Sequence, residues 1–233
     1  MDAQGSAFGI KGGATLGLQQ WNGRDSEILL RYHGVAYIES YREDSPFALF
    51  AQAGYHVRGG ATRIRGGVFT TTTGDLFNFN TTSYPYEFRN VAISVGAKQK
   101  FPFGNSNAQA YYLLGIRGEY TINTNLDIYH PENDPFRAFN LIHPFDELTR
   151  HWNYGVIAGG GIEFMFAELV GGLLELSISP DLSQQYFQSE GFFDDPFTGN
   201  RRTLSAREIR NVSVELSLGL RFLRIVEYVD TVF

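Results

Sequence analysis

The chain has 233 residues, no cysteine, and 19 Lys and Arg against 25 Asp and Glu, a formal net charge of -6. The lack of cysteine excludes disulfide frameworks and thiolate metal sites, and the lack of a basic excess removes the electrostatic support that nucleic-acid binding needs. No apolar run reaches the roughly 18 residues that a transmembrane helix requires, which leaves spanning by strands open.

Hydrophobic residues at 43%, aromatics at 15% and 26 glycines suit one all-β domain with tight turns. Met1 to Phe8 has neither a charged nor an apolar signal region, so an exported chain is expected to be numbered here as its mature or recombinant form.

Along the chain the dominant signal is alternation with a period of two, which puts every second side chain on one face of a strand. It begins with Phe8, Ile10, Gly12, Ala14, Leu16 and Leu18 against Gly9, Lys11, Gly13, Thr15, Gly17 and Gln19. Ile28 to Ile38 and Phe47 to Arg58 repeat it, with His33 and His56 on the polar side. Asn90 to Lys98 and Ala108 to Tyr120 follow, then Trp152 to Phe164, Leu174 to Ile178 and Val212 to Phe222.

No position on the apolar faces of these eight segments is Asp, Glu, Lys or Arg. Facing lipid at mid-membrane, Arg or Lys would cost about 2 to 4 kcal/mol. Glycines crowd the opposite face, as a narrow lumen requires, and the longest runs match the about 9 to 11 residues of a membrane strand, with extensions. The expectation is an all-β, eight-stranded antiparallel transmembrane barrel with a filled polar lumen, 1–222, and a C-terminal extension, 223–233.

Connections alternate in length, as expected when one end of a barrel faces the periplasm. Arg42 to Pro46, Pro102 to Asn107 and Ala167 to Gly171 are short; Gly59 to Tyr86, Ile122 to Arg150 and Leu182 to Ala206 are long. Outward Phe8, Tyr32, Phe47, Tyr120, Trp152, Tyr154 and Phe222 are candidates for interfacial girdles.

Phe8-Gly-Ile-Lys-Gly-Gly13, Phe88-Arg-Asn-Val-Ala-Ile-Ser-Val-Gly96, Tyr154-Gly-Val-Ile-Ala-Gly-Gly-Gly-Ile162 and Val212-Ser-Val-Glu-Leu-Ser-Leu-Gly-Leu-Arg-Phe222 resemble the PorT-like outer-membrane barrels of Bacteroidetes. The likeness runs from the first strand to Phe222 through motifs of low specificity. It implies a bacterial outer-membrane location and a role as an accessory of the type IX secretion and gliding apparatus. Leu223 to Phe233 depart from the family pattern by following the expected terminal aromatic, so Phe222 and Phe233 compete as the assembly signal.

On the expected lumen side lie Lys11, Arg31, Arg58, Lys98, Arg117 and Arg221 with Glu39, Glu119, Glu163, Glu175, Asp181 and Glu215. Equal numbers of each sign point to an interior ion-pair network ahead of an ion or proton path. His33 and His56 read as packed lumen residues before a metal pair or a base, and no nucleophile and base have a diagnostic spacing near His130, His143 or His151. No catalytic site, cofactor or metal is therefore expected.

The acidic stretches His130 to Pro135 and Asp194-Asp195 lack calcium-loop spacing. Proline precedes phenylalanine at Phe47, Phe103, Phe136, Phe145 and Phe197; Phe136, Phe145 and Phe197 lie in long loops and are the candidate partner contacts. Expected partners are membrane lipids and other outer-membrane proteins, with no nucleic acid. The alternatives are a soluble barrel holding a small apolar ligand inside, or a barrel enzyme or narrow channel.

Overall fold

The computed structural model describes residues 4–21, 26–42, 45–70, 76–103, 108–129, 143–194 and 200–226. Eight long strands form the wall: β1 (Gln4–Trp21), β2 (Leu29–Arg42), β3 (Phe47–Ile64), β4 (Thr82–Pro102), β5 (Ala108–Thr124), β6 (Trp152–Met165), β7 (Val170–Pro180) and β8 (Arg207–Val226). Each pairs antiparallel with its neighbours in sequence, and β8 closes on β1 from Gln4↔Val226 to Trp21↔Ile209. Closure leaves the wall no free edge, the condition for a sheet to sit in lipid.

The alternation sets inside and outside. Ile10, Leu49 and Leu218 face outward with more than 60% of their surface exposed, while Lys11 between Ile10 and Gly12 is 7% exposed. The apolar face thus points away from the barrel. A soluble barrel with an apolar pocket requires the opposite, so that alternative is corrected: here the interior carries the charges.

The aromatics sort into two girdles by strand direction. Phe8 near the start of β1, Phe47 opening β3 and Phe222 near the end of β8 mark the end holding the termini, with Phe8 and Phe222 stacked at 5.7 Å. Tyr120, Trp152, Tyr154 and Tyr32 mark the opposite end, and Tyr120 meets Trp152 edge to face at 5.0 Å.

The strands reach further than the alternation indicates. The long connection expected over Gly59 to Tyr86 is largely strand, because β3 and β4 stay paired to Ile64↔Thr82; a small hairpin, Gly67–Thr70 with Leu76–Phe79, tops it. Another, Gly191–Asp194 with Arg201–Leu204, lies between β7 and β8. β8 pairs with β1 through Val226, beyond Phe222. The remainder of the 223–233 extension lies outside the described residues.

The upper part of β3 leans into the barrel. β2 pairs with β3 from His33↔His56 to Glu39↔Phe50, whereas above it Ser26 and Glu27 pair with Thr62 and Ala61 in a register shifted by one. Between these blocks β3 passes inside β2, where a side chain at inward-facing Gly17 would run into the Gly59 carbonyl and one at Gly60 into Gln19. Gly59 takes φ +147°, open to glycine alone at little strain.

The leaning β3–β4 hairpin carries Tyr86 and Phe88 over the mouth, where they bury with Leu126 and Tyr129 against Trp21 and Tyr84. Gly17→Val is expected to lower stability by about 1 to 3 kcal/mol through overpacking at this crossing. Gly34→Ala, on the outer face with open space around it, should stay within about 0.5 kcal/mol. Urea titration of the folded band on unheated gels measures both.

Candidate functional site

Among the described residues the lumen is where the fold concentrates ionisable side chains, and period-two parity delivers them there from all eight strands. They sort into layers along the axis. Nearest the termini, Glu39 and Glu163 hold three cations. Lys98 Nζ donates to Glu39 at 3.0 Å, Lys100 Nζ to Glu39 at 2.6 Å and Glu163 at 2.8 Å, and Arg221 donates to Glu39 through Nε at 3.1 Å and Nη2 at 3.0 Å. Lys98 also lies 4.5 Å from the centre of the Tyr111 ring, a cation–π contact.

Above this, Glu175 accepts from Lys11 Nζ at 2.6 Å and from the Tyr111 hydroxyl at 2.7 Å. Beside the pair lies an apolar cluster of Phe50, Tyr111, Leu113 and Ile157. Gly96 and Gly115 make room for the Phe50 ring, which would lie 2.8 Å and 3.2 Å from a Cβ at those positions. The lumen is thus filled by rings and aliphatic groups as well as by ion pairs.

The histidines come next. His33 and His56 are cross-strand partners whose rings stack at 5.6 Å. Both ring nitrogens of His33 are engaged, Nδ1 with Thr15 Oγ1 at 3.0 Å and Nε2 with Ser217 Oγ at 2.8 Å, while His56 Nδ1 donates to Glu215 at 2.8 Å. The His33 ring thus spends its donor and its acceptor on hydroxyl groups of the lumen wall. Among the described residues no group of three or more His, Asp or Glu is arranged to hold a metal ion.

In the layer above, Arg58 Nη1 lies 3.3 Å from Asp181 and 3.5 Å from Glu119, and Arg117 pairs with the same two carboxylates. Arg58 Nη1 and Arg117 Nη2 both donate to Asp181 Oδ1, while Arg58 Nε, Arg117 Nη1 and Asp181 Oδ2 have no hydrogen bond here. A neutral layer follows, in which Gln19 donates to Asn211 at 3.1 Å, Asn211 to Gln185 at 3.0 Å and Gln185 to Thr121 at 2.8 Å.

The mouth is closed by an aromatic box. The His143 ring stacks on Tyr129 at 4.7 Å, lies 4.5 Å from the Tyr84 ring, and shares a 2.8 Å hydrogen bond with the Tyr86 hydroxyl.

Of the twelve charged residues expected in the lumen, eleven are buried there; Arg31 is not. It sits at the outer rim and donates to Glu87 at 2.7 Å, part-buried, because β2 ends there and β3 has leaned past it. Lys100 takes the sixth cationic place. The alternation missed it because Lys98-Gln-Lys100 reads as the frayed end of a strand.

Tyr111 and Leu113 were equally hidden, inside the unbroken apolar run Ala110 to Leu114 where parity is ambiguous. Of the three loop phenylalanines, Phe145 is half-buried, with its backbone N–H donating to the Tyr186 hydroxyl at 3.3 Å; Phe136 and Phe197 lie outside the described residues.

An edgeless ring with an apolar exterior and a charge-paired interior defines this chain as an eight-stranded transmembrane β-barrel with a plugged lumen. No protein-family model and no curated protein sequence matches it. Among solved structures it is similar to the outer membrane protease OmpT of Escherichia coli, at 9% identity over 94% of this chain and 97% of that one, TM-score 0.40. It is also similar to Neisserial surface protein A, at 9% identity over 93% and 97%, TM-score 0.39. Ail of Yersinia pestis, solved with the heparin analogue sucrose octasulfate, shares 12% identity over 94% and 99%, TM-score 0.38.

Glu39→Ala would leave Lys98, Lys100 and Arg221 with one carboxylate among them. It is expected to destabilise the barrel by about 3 to 5 kcal/mol. Arg31→Ala at the rim should cost below about 1 kcal/mol. Unfolding midpoints of the two variants in detergent compare them directly.

Proposed function

We propose that this chain is a bacterial outer-membrane barrel that serves as a structural or accessory subunit of an outer-membrane complex, and that it is neither a pore nor an enzyme. The observation that carries this reading is the filled lumen: ion-paired, apolar and amide layers succeed one another from the inner end to an aromatic box at the mouth. Eight strands enclose little space even when empty, and here large side chains occupy it.

The work of such a barrel falls to its ends. The termini and the short turns mark the periplasmic end and the long loops the external one, where Leu182 and Phe192 expose apolar surface and Phe145 is half-buried. Phe136, Phe145 and Phe197 are the contacts assigned to a partner. The resemblance of the strand segments to PorT-like proteins makes the type IX secretion and gliding apparatus the first assembly to examine.

Two measurements test this reading. In planar bilayers the purified barrel is expected to give no conductance steps; regular steps would establish a channel instead. In native gels of gently solubilised membranes it is expected to migrate in a complex larger than the barrel. Replacing Phe136, Phe145 and Phe197 together by Ser should release the free barrel with its heat-dependent gel shift intact. Migration as a free barrel in the wild type would remove the accessory role.

A further inference from the structure

At the inner end, the hairpin joining β2 and β3 is splayed. Its ladder stops at Glu39↔Phe50, although β2 continues to Arg42 and β3 begins at Phe47. The Ser40 hydroxyl accepts the Leu49 N–H at 2.9 Å, in the place where a main-chain carbonyl would serve in a regular ladder. The opened strands enclose a cavity of about 270 Å³ whose walls include Tyr41, Arg42, Ser45, Phe47, Lys100 and Phe101.

Two features give this cavity a chemistry. The first is charge. Among the described residues the innermost lumen layer sets Lys98, Lys100 and Arg221 against Glu39 and Glu163, three cations to two carboxylates, and Lys100 of that layer lines the cavity. Arg42, on the same wall, is exposed, and its guanidinium has no ion pair or hydrogen bond among the described residues. A surplus of positive charge beside an unpaired guanidinium favours an anion, and the planar fork of arginine matches two oxygens of a phosphate.

The second feature is position. Phe47 and Phe101 belong to the outward apolar face and are 59% and 46% exposed. They place one side of the cavity at the edge of the lipid belt and the other at the aqueous mouth. A ligand seated there has its anionic part against Arg42 and its apolar part along Phe47, Phe101 and Leu49.

We propose that this cavity binds the phosphate of an anionic phospholipid of the inner leaflet, with Arg42 as the recognising group and Phe47 and Phe101 flanking the acyl chains. Basic pockets at membrane interfaces hold lipid headgroups by this combination of charge and apolar contact. The orientation rests on the outer-membrane reading above. Glu43 and Asp44, next along the chain, lie outside the described residues and oppose an anion wherever they approach it, so the affinity has to be measured on the intact hairpin.

The test is native mass spectrometry of the folded barrel in neutral detergent, offered phosphatidylglycerol or phosphatidylcholine with identical acyl chains. The wild type should retain phosphatidylglycerol about tenfold better, and Arg42→Gln should bring its retention down to that of phosphatidylcholine. Equal retention of the two lipids by the wild type, or full retention by Arg42→Gln, would overturn the proposal. So would displacement of the lipid by inorganic phosphate at equal concentration, which would mark a site for soluble anions.

The unheated gel shift is recorded on every sample. Its loss in the wild type removes the membrane barrel itself. Its persistence with no lipid preference removes this inference alone.

Discussion

Eight strands closed into a ring leave an interior about as wide as the side chains that point into it. Once the exterior has been given to lipid, every inward charge lies in a space that bulk water does not fill, and it persists only beside a charge of opposite sign. The remaining structure answers to this constraint. Lys11 meets Glu175, Glu39 gathers three cations, and Arg58 and Arg117 share Asp181 and Glu119. Lys11 of β1 reaches past β8 to Glu175 of β7, and Arg58 of β3 reaches across the ring to Asp181 just beyond β7, so the ion pairs tie together strands that are not neighbours in the wall.

Glycine is the counterpart of the long side chains. Where Phe50 crosses the lumen it lies over Gly96 and Gly115, and where Tyr37 and Tyr111 turn inward they lie over Gly9 and Gly161. Large and small positions interdigitate as in any dense core, with the difference that this core is partly ionic. The outcome is a rigid, plugged cylinder. Long loops stand at one mouth, and at the other a splayed hairpin opens a cavity lined by Arg42 and Lys100.

Much of this was legible from alternation alone. The uncharged outward face from Phe8 to Phe222 defined the strands, their number and the side facing lipid, because in a pleated strand parity is geometry. Eleven of the twelve expected lumen charges followed from the same parity. What parity could not show was where a strand leaves the cylinder. β3 leans inward at Gly59 and strands Arg31 at the rim, and β3 and β4 run on through residues whose alternation fades. Tyr111 and Leu113 were illegible for another reason: in a run of consecutive apolar residues either face is a permissible inside.

The sequence by itself therefore determined the all-β class, the eight spans, the inversion of polar and apolar faces and the equal count of opposite charges in the lumen. Each of these depends only on residue type and on neighbours two positions away. The tertiary structure alone decided which carboxylate each cation reaches, that Lys100 replaces Arg31 in the network, that Tyr86, Tyr129 and His143 close the mouth, and that Arg42 faces a cavity. These depend on shear, tilt and the crossing of β3 over β1, which bring together residues as far apart as Glu39 and Arg221, and no local pattern encodes the distance between them.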